Sequence, residues 1–225
     1  MPLATLKPPA PLYRLARTAD PWAARDWASV RDDDWGNDYD DPEQYYRVLY
    51  ACTDRFACFV ATLERFRPNL ALLAELQAME GENDFVPVGT VPAGWLAKRC
   101  MGRARVGGEF VNVLNSDSIA SLRRELAAQC VQLGLGELDA EALRRHTAPR
   151  RLTQLVSRTI YNLGLRGCAC ALALRGGLTR THVSWAIFEP FEIAPEPAEK
   201  VERDDPDLRR ALELHGLRLE GYRTA

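Results

Sequence analysis

The segment Cys168–Leu174 (CACALAL) constrains the fold most, because it is apolar at every position. Successive side chains of a β-strand point to opposite faces, so such a run is typical of a central strand that is covered on both sides. Val183–Phe188 (VSWAIF) is a second run of this kind, and we predict that residues 175–181 connect the two. Val48–Cys52 (VLYAC) is a third predicted strand. These runs predict a buried sheet.

Helical periodicity occupies much of the remaining chain. Asp54 is a predicted N-cap, followed by an apolar stripe with helical spacing at Phe56, Phe59, Val60 and Leu63. A second clear stripe covers 150–163 and stops before Gly164, a residue type common just after helices. Weaker patterns predict helices over 70–78, after Ser116 or Asp117 and from Asp139, and strands at 102–106 and 110–114. Strands at both ends with helices between them predict an α+β domain around one mixed sheet flanked by helices.

The length of 225 residues and a hydrophobic content of 47% are typical of one globular domain. We predict an N-terminal extension over 1–11, the domain over 12–193 and a tail over 194–225. The tail is assigned because residues 192–210 are rich in proline and charge, and a short helix is expected over 208–219.

The charge balance argues against two classes of partner. The net charge is −2, from 29 basic and 31 acidic residues, so no summed field attracts nucleic acid or an anionic membrane surface. No run of eighteen apolar residues occurs, and we expect a cytoplasmic protein without a membrane span. The six cysteines lie in apolar segments and are interpreted as reduced core thiols. Cys168 and Cys170 with His182 could hold zinc, but a zinc site usually needs four ligands, so we predict no metal.

Five blocks of the chain, taken in order, resemble the RES-domain family. They are LYRLAR (12–17), WGNDYDDPEQYYRVLYA (35–51), ACFVATLERFRP (57–68), RRLTQLVSRTIYNLG (150–164) and SWAIFEP (184–190). The resemblance implies a fold similar to ADP-ribosyltransferases and the role of the toxin in a bacterial toxin–antitoxin pair. Such toxins degrade NAD by breaking its nicotinamide–ribose bond, with NAD as substrate and not as a permanent cofactor. The partner it implies is an antitoxin with a helix-turn-helix domain.

Two family positions are retained. Arg14 matches the first family arginine, and Tyr50 matches the tyrosine at the end of the strand before the catalytic helix. Arginines hold a pyrophosphate through their fork of N–H groups, and an aromatic ring shapes the nicotinamide pocket. From the residues alone, Arg14 could equally be a surface ion-pair partner and Tyr50 a half-buried strand aromatic. The resemblance favours a site role in catalysis or NAD binding for both.

Three family positions are substituted. Asp38 stands where the family block G-N-R-F-D-D-P has its arginine, and this acid would repel a phosphate. Ala61 stands where the block F-x-E-T-L has its glutamate, and Leu172 stands at the serine of a family strand. Breaking an N-glycosidic bond builds positive charge on the ribose, which a nearby carboxylate stabilises. The substitutions therefore predict weak or no cleavage.

Two nearby residues could replace the lost groups. Glu64 is three residues beyond Ala61 on the same helix face, but it is displaced by roughly 4.5 Å along the axis. Misplacement on that scale is expected to be costly, and a solvated helix glutamate is the simpler interpretation. Ser184, Thr179 or Thr181 could supply the hydroxyl if the strand register is shifted.

Three functional hypotheses follow from these residues. The first is a toxin that degrades NAD, either by hydrolysis or with phosphate as the acceptor. The second is a pseudoenzyme that binds a partner or a nucleotide without turnover, and the third is a scaffold protein, because a fold does not carry function by itself. The sequence leaves the oligomeric state open, including a homo-oligomer.

Overall fold

The computed structural model describes residues 2–17, 19–24, 37–41, 43–67, 89–144, 150–174 and 177–221, without the side chains of 144 and 171–182. The strands in these ranges are β1 Thr5–Leu6, β2 Leu12–Ala16, β3 Val48–Cys52, β4 Thr90–Val91, β5 Cys100–Val106, β6 Phe110–Asn112, β7 Gly167–Leu174, β8 Gly177–Phe188, β9 Ile193–Pro195, β10 Glu199–Lys200 and β11 Arg218–Leu219. The helices are α1 Arg55–Leu63, α2 Ala93–Ala97, α3 Ser116–Glu125, α4 Ala127–Gln132, α5 Ala140–Arg144, α6 Arg150–Asn162 and α7 Pro206–His215, and a 3₁₀ turn, Glu64–Phe66, follows α1.

Nine of these strands form one mixed sheet. Its order is β1-β6-β7-β8-β3-β2-β5-β10, and β9 also pairs with β5. The pair β6–β7 is parallel and the other described pairs of this sheet are antiparallel. The strands β4 and β11 form a separate parallel pair. The prediction of a single α+β domain with a mixed sheet is confirmed.

The two faces of the sheet are buried in different ways. One face carries two apolar clusters, the first formed with α3 and α6 and the second with α1 and α7. Cys168 belongs to the first and Cys52 to the second. The opposite face is covered by a third cluster that includes Ala169, Trp185 and Trp22. Burial on both faces explains why the part of β7 whose side chains are described, up to Cys170, is apolar.

The elements with the clearest sequence patterns form as predicted. Asp54 caps α1 by accepting from the Ala57 amide at 2.8 Å, and α6 ends before Gly164, whose φ is +77°. Two boundaries differ. The connection predicted over 175–181 is wrong from Gly177 onward, because β8 begins there, and α3 is capped by Asn115 and not by the following serine or aspartate. The helix predicted over 70–78 and the closing Pro68 lie outside the described residues.

Residues beyond 193, for which the sequence predicts a charged tail, pair with the domain along most of their length. The short strands β9 and β10 pair with β5, and α7 packs on α1. Leu208 and Ala211 of α7 are fully buried in this contact, while Arg55 of α1 forms ion pairs with Glu199 and Asp205. The charged and proline residues beyond 193 therefore belong to a segment that packs against the domain.

Candidate functional site

Arg14 lies where β2 and β3 meet. In the part of the chain that the structure describes, β2 and β3 are matched at one pair of residues, Tyr13 and Cys52. One residue further on, the Arg14 Nε donates to the Pro21 carbonyl at 2.7 Å and its Nη1 donates to the Tyr50 carbonyl at 2.7 Å. The guanidinium therefore links β2, β3 and the segment around Pro21. Gly102, opposite Arg14 on β5, makes this possible, because a Cβ there would lie 2.5 Å from the Pro21 Cβ.

The Tyr50 hydroxyl is held by the segment 37–41. It donates to the Asp40 Oδ1 at 2.9 Å and accepts from the Tyr39 amide at 3.0 Å. The other oxygen of Asp40 accepts from both nitrogens of Asn37 at 2.9 Å. Burial raises the pKa of Tyr50 well above its usual value, and the charge of Asp40 raises it further. Tyr50 is thus a neutral phenol at physiological pH.

The same segment is fastened to α6 by buried polar contacts. Asp41 is fully buried and accepts from Arg158 at 2.7 and 2.8 Å and from the Tyr45 amide at 2.6 Å. Ser157 donates to the Tyr39 carbonyl at 2.6 Å and lies 2.6 Å from the Tyr46 hydroxyl. Buried polar groups that are fully hydrogen-bonded favour one arrangement. Helix α6 therefore fixes the position of the segment 37–41, which contacts the Tyr50 hydroxyl.

Asp38 lies at the rim of this group. Its side chain is 60% exposed and its carboxylate is 3.8 Å from the Arg150 Nε. Its charge still contributes to the raised pKa values of Tyr39 and Tyr50. Asp38 therefore places an exposed negative charge beside this group of residues.

The two candidate positions on α1 differ in environment. Ala61 is exposed and not part of the core. The Glu64 carboxylate is mostly buried and lies 3.3 Å from the Arg67 Nη1 and 3.8 Å from the His215 Nε2. The His215 Nε2 is 2.9 Å from the Val60 carbonyl. The contact with His215 belongs to the docking of α7 on α1, and the contact with Arg67 is local to the turn that follows α1.

The third position that the sequence singles out, Leu172, lies in an irregular part of the sheet. Leu172 is in β7 between Ala171 and Ala173, where the register with β8 shifts, and its side chain lies outside the described residues. Ser184 of β8 is paired with Cys52 on one side and Cys170 on the other. Since Cys52 is two residues from Tyr50, Ser184 and Tyr50 share a face of the sheet. The side chains of Thr179 and Thr181 lie outside the described residues.

Burial disfavours the thiolate form of the cysteines on this face. Burial raises the pKa of Cys170 to about 12 and raises that of Cys168 well above its usual value. Tyr39 lies against both cysteines and is itself buried, which raises its pKa. The face therefore presents neutral, protonated side chains next to Tyr50.

Sequence reasoning missed Asp40 as a site residue. It bonds directly to Tyr50, and its signal was present, because Asp40 and Asp41 match the two acids of the family block G-N-R-F-D-D-P. Their contacts separate their roles. Asp40 bonds to Tyr50, ten positions away, whereas Asp41 bonds to Arg158, 117 positions away, and this second contact is not visible in the sequence.

A surface cavity of about 770 Å³ lies elsewhere. It is lined by residues of the N-terminal segment, α3 and the end of α6, including Leu3, Leu122 and Leu163. It shares no residue with the group formed by Arg14, Tyr50 and Asp40, so its size does not identify the chemical site. None of the described helices is long and apolar enough to cross a membrane.

Comparison with known proteins bears on the fold. No protein-family model and no curated protein matches the chain. Among solved structures, a chain of the M. tuberculosis MbcT–MbcA toxin–antitoxin complex is similar, with a TM-score of 0.50 and 15% identity, covering 94% of this chain and 92% of that chain. Likeness at this identity concerns the fold alone. The protein thus has a fold that also occurs in a toxin–antitoxin complex.

Proposed function

We propose that this protein is a RES-type toxin relative with an ADP-ribosyltransferase-like fold, that it binds NAD at Arg14 and Tyr50, and that it cleaves NAD slowly or not at all. The observation that carries the proposal is the direct link between these two residues. The Arg14 guanidinium donates to the Tyr50 main-chain carbonyl, so its positive charge is fixed at the backbone of the residue that carries the phenol, and the two residues form one unit. Their side chains start on opposite faces of the sheet, because Arg14 follows Tyr13, which pairs with Cys52.

The chemistry of this unit suits a dinucleotide. A guanidinium attracts phosphate oxygens, and its position is fixed by two carbonyl acceptors. A neutral phenol whose hydroxyl is already bonded presents a rigid ring edge for shaping a nicotinamide pocket. Preorganisation of this kind lowers the entropic cost of binding.

The carboxylates around the unit argue for slow cleavage. Asp40 is nearest, but its oxygens accept hydrogen bonds from Tyr50 and Asn37, so it serves to position those groups. Asp38 is an exposed acid at the rim and Ala61 offers no acid. Loss of one preorganised electrostatic group typically costs about a hundred- to a thousandfold in rate. Ser184 could orient a ribose from the neighbouring strand.

We also propose an antitoxin-type partner with a helix-turn-helix domain. The support is the family resemblance and the similarity to a chain solved in a toxin–antitoxin complex. Co-expression with the product of the adjoining reading frame, followed by size-exclusion chromatography, tests it. Elution of the two chains as separate species would contradict this part of the proposal.

The test of the main proposal separates binding from turnover. NAD binding is measured by calorimetry and nicotinamide release by chromatography, using the native protein, Arg14→Ala and Arg103→Gln. The last is a matched control, because Arg103 lies on β5 and pairs with the exposed Glu196. We expect binding by the native protein and the control, a loss of roughly tenfold or more in Arg14→Ala, and little release of nicotinamide.

A gain-of-function variant sharpens the test. Asp38→Arg with Ala61→Glu restores the charges of the family pattern at two exposed positions, so the fold should tolerate both. Release of nicotinamide should rise in this variant. Rapid NAD loss caused by the unaltered protein would instead point to Glu64 or another acid as a working carboxylate.

A further inference from the structure

Three arginines lie near the end of the β2–β5 pair. The antiparallel register ends with Ala16 matched to Cys100, so Arg17 and Arg99, the next residue on each side, leave the strand pair at the same end. Arg65, in the 3₁₀ turn after α1, contributes a third positive charge near Arg99. Like charges that lie close together repel each other. The fold therefore tolerates a repulsive arrangement here.

Arg99 is the buried member of this arginine cluster, with 7% of its surface exposed. Its guanidinium lies over the Trp95 ring, 4.8 Å from the ring centroid. Within the described ranges, the Arg99 Nε and the Trp95 Nε1 are both buried and neither has a hydrogen-bond partner. Buried donors without acceptors are rare in folded proteins, and two lie side by side at this point.

Several other arginines of this protein are accompanied by acids. Arg55 pairs with Glu199 and Asp205, and Arg158 pairs with Asp41. In the part of the chain that the structure describes, Arg17, Arg65 and Arg99 form no ion pair with a carboxylate. Burial lowers the pKa of Arg99 to about 10, and the charges of Arg17 and Arg65 act in the same direction. A bound anion would stabilise the charged form of Arg99 and offset its repulsion with Arg17 and Arg65.

We propose that Arg17, Arg65 and Arg99, together with the indole N–H of Trp95, form a binding site for a phosphate-bearing ligand. Guanidinium groups match the geometry of phosphate oxygens, and both orphan donors would gain an acceptor. The exposed Arg17 and Arg65 leave the site open to solvent. Arg17 is three residues beyond Arg14, about 10 Å along the strand, so this site is separate from the Arg14–Tyr50 unit. The proposal does not depend on NAD cleavage.

Calorimetric titration with inorganic pyrophosphate tests the proposal. Arg17→Gln and Arg65→Gln change exposed residues and should fold normally, and Arg103→Gln removes the same charge from a paired arginine. We expect saturable binding by the native protein and the control, weakened roughly tenfold or more by either test variant. No saturable binding by the native protein, or equal affinities in all three variants, would overturn the proposal.

A second measurement uses the buried residue. Arg99→Met keeps a long apolar stem over Trp95 but removes the uncompensated charge. Its Tm should exceed that of the native protein without anions, and pyrophosphate should no longer raise it. A Tm increase with pyrophosphate equal to that of the native protein would contradict the assignment. If ADP-ribose binds more tightly than pyrophosphate, the natural ligand is a nucleotide. If pyrophosphate binds more tightly, the natural ligand is a free phosphate species. Either result supports a phosphate site.

Discussion

Replacing Tyr50 by Phe tests whether its hydroxyl holds the segment 37–41 in place. The change removes the 2.9 Å bond to the Asp40 carboxylate and the 3.0 Å bond from the Tyr39 amide, while the ring remains. A hydrogen bond to a charged group contributes about 1.5–3 kcal/mol, and an amide left without an acceptor costs about 1–3 kcal/mol. Since Asp40 keeps its bonds to Asn37, we expect a total loss of about 2–4 kcal/mol.

The assay is urea unfolding followed by fluorescence, combined with hydrogen exchange. Tyr45→Phe is the control, because Tyr45 is 68% exposed and its ring stacks under Arg158 without needing the hydroxyl. Its unfolding free energy should change by less than about 0.5 kcal/mol. In Tyr50→Phe the Tyr39 amide should also exchange faster. A loss below about 1 kcal/mol with unchanged exchange at Tyr39 would refute the reasoning, since one bond alone is worth more than that.

Three further predictions follow from the buried polar groups and the docked C-terminal helix. Stability should fall as the pH rises above about 10, because a tyrosine in the unfolded chain ionises there, whereas the pKa values of Tyr39 and Tyr50 are raised in the folded protein. A Tm that stays constant between about pH 8 and pH 11 would contradict this. Ser157→Ala should lower the unfolding free energy by about 1–3 kcal/mol, measured by urea unfolding, because the Tyr39 carbonyl loses its buried donor. Leu208→Ala should cost about 2–5 kcal/mol in the same assay if α7 belongs to the core, whereas a loose tail would give almost no change.

The sequence predicts the interior of this fold better than its edges. The continuous apolar run of β7 and the helical stripe of α6 with its glycine stop were both visible in the residues themselves. Burial on both faces accounts for the run over the described residues Cys168 and Ala169. The strands β9 and β10 carry no such pattern, because they are two or three residues long and largely exposed. Their pairing with β5 depends on backbone hydrogen bonds that any residue except proline can donate.

The candidate site divides in the same way. Arg14 and Tyr50 could be proposed from matched blocks, but the sequence does not tell that the arginine donates to the backbone carbonyl of the tyrosine. The arginine cluster was not predicted at all. Arg17 and Arg99 are 82 positions apart and become neighbours through the strand register, and an orphan donor can be recognised only once its surroundings are known.

Retained residues in this site do not by themselves argue for activity. Asp40, Asp41 and Tyr50 match the family pattern, and each makes buried hydrogen bonds whose loss would weaken the fold. Asp38 and Ala61 depart from it, and both are exposed, so the fold tolerates the change at little cost. Stability alone would produce this division between retained and altered positions.

Arg14 also supports the fold, through its bonds to Pro21 and Tyr50. A loss of NAD binding in Arg14→Ala is therefore informative only if the variant's unfolding free energy is measured alongside it. Recovery of cleavage on restoring charge at the two exposed positions is the stronger evidence, because those changes leave the buried contacts intact.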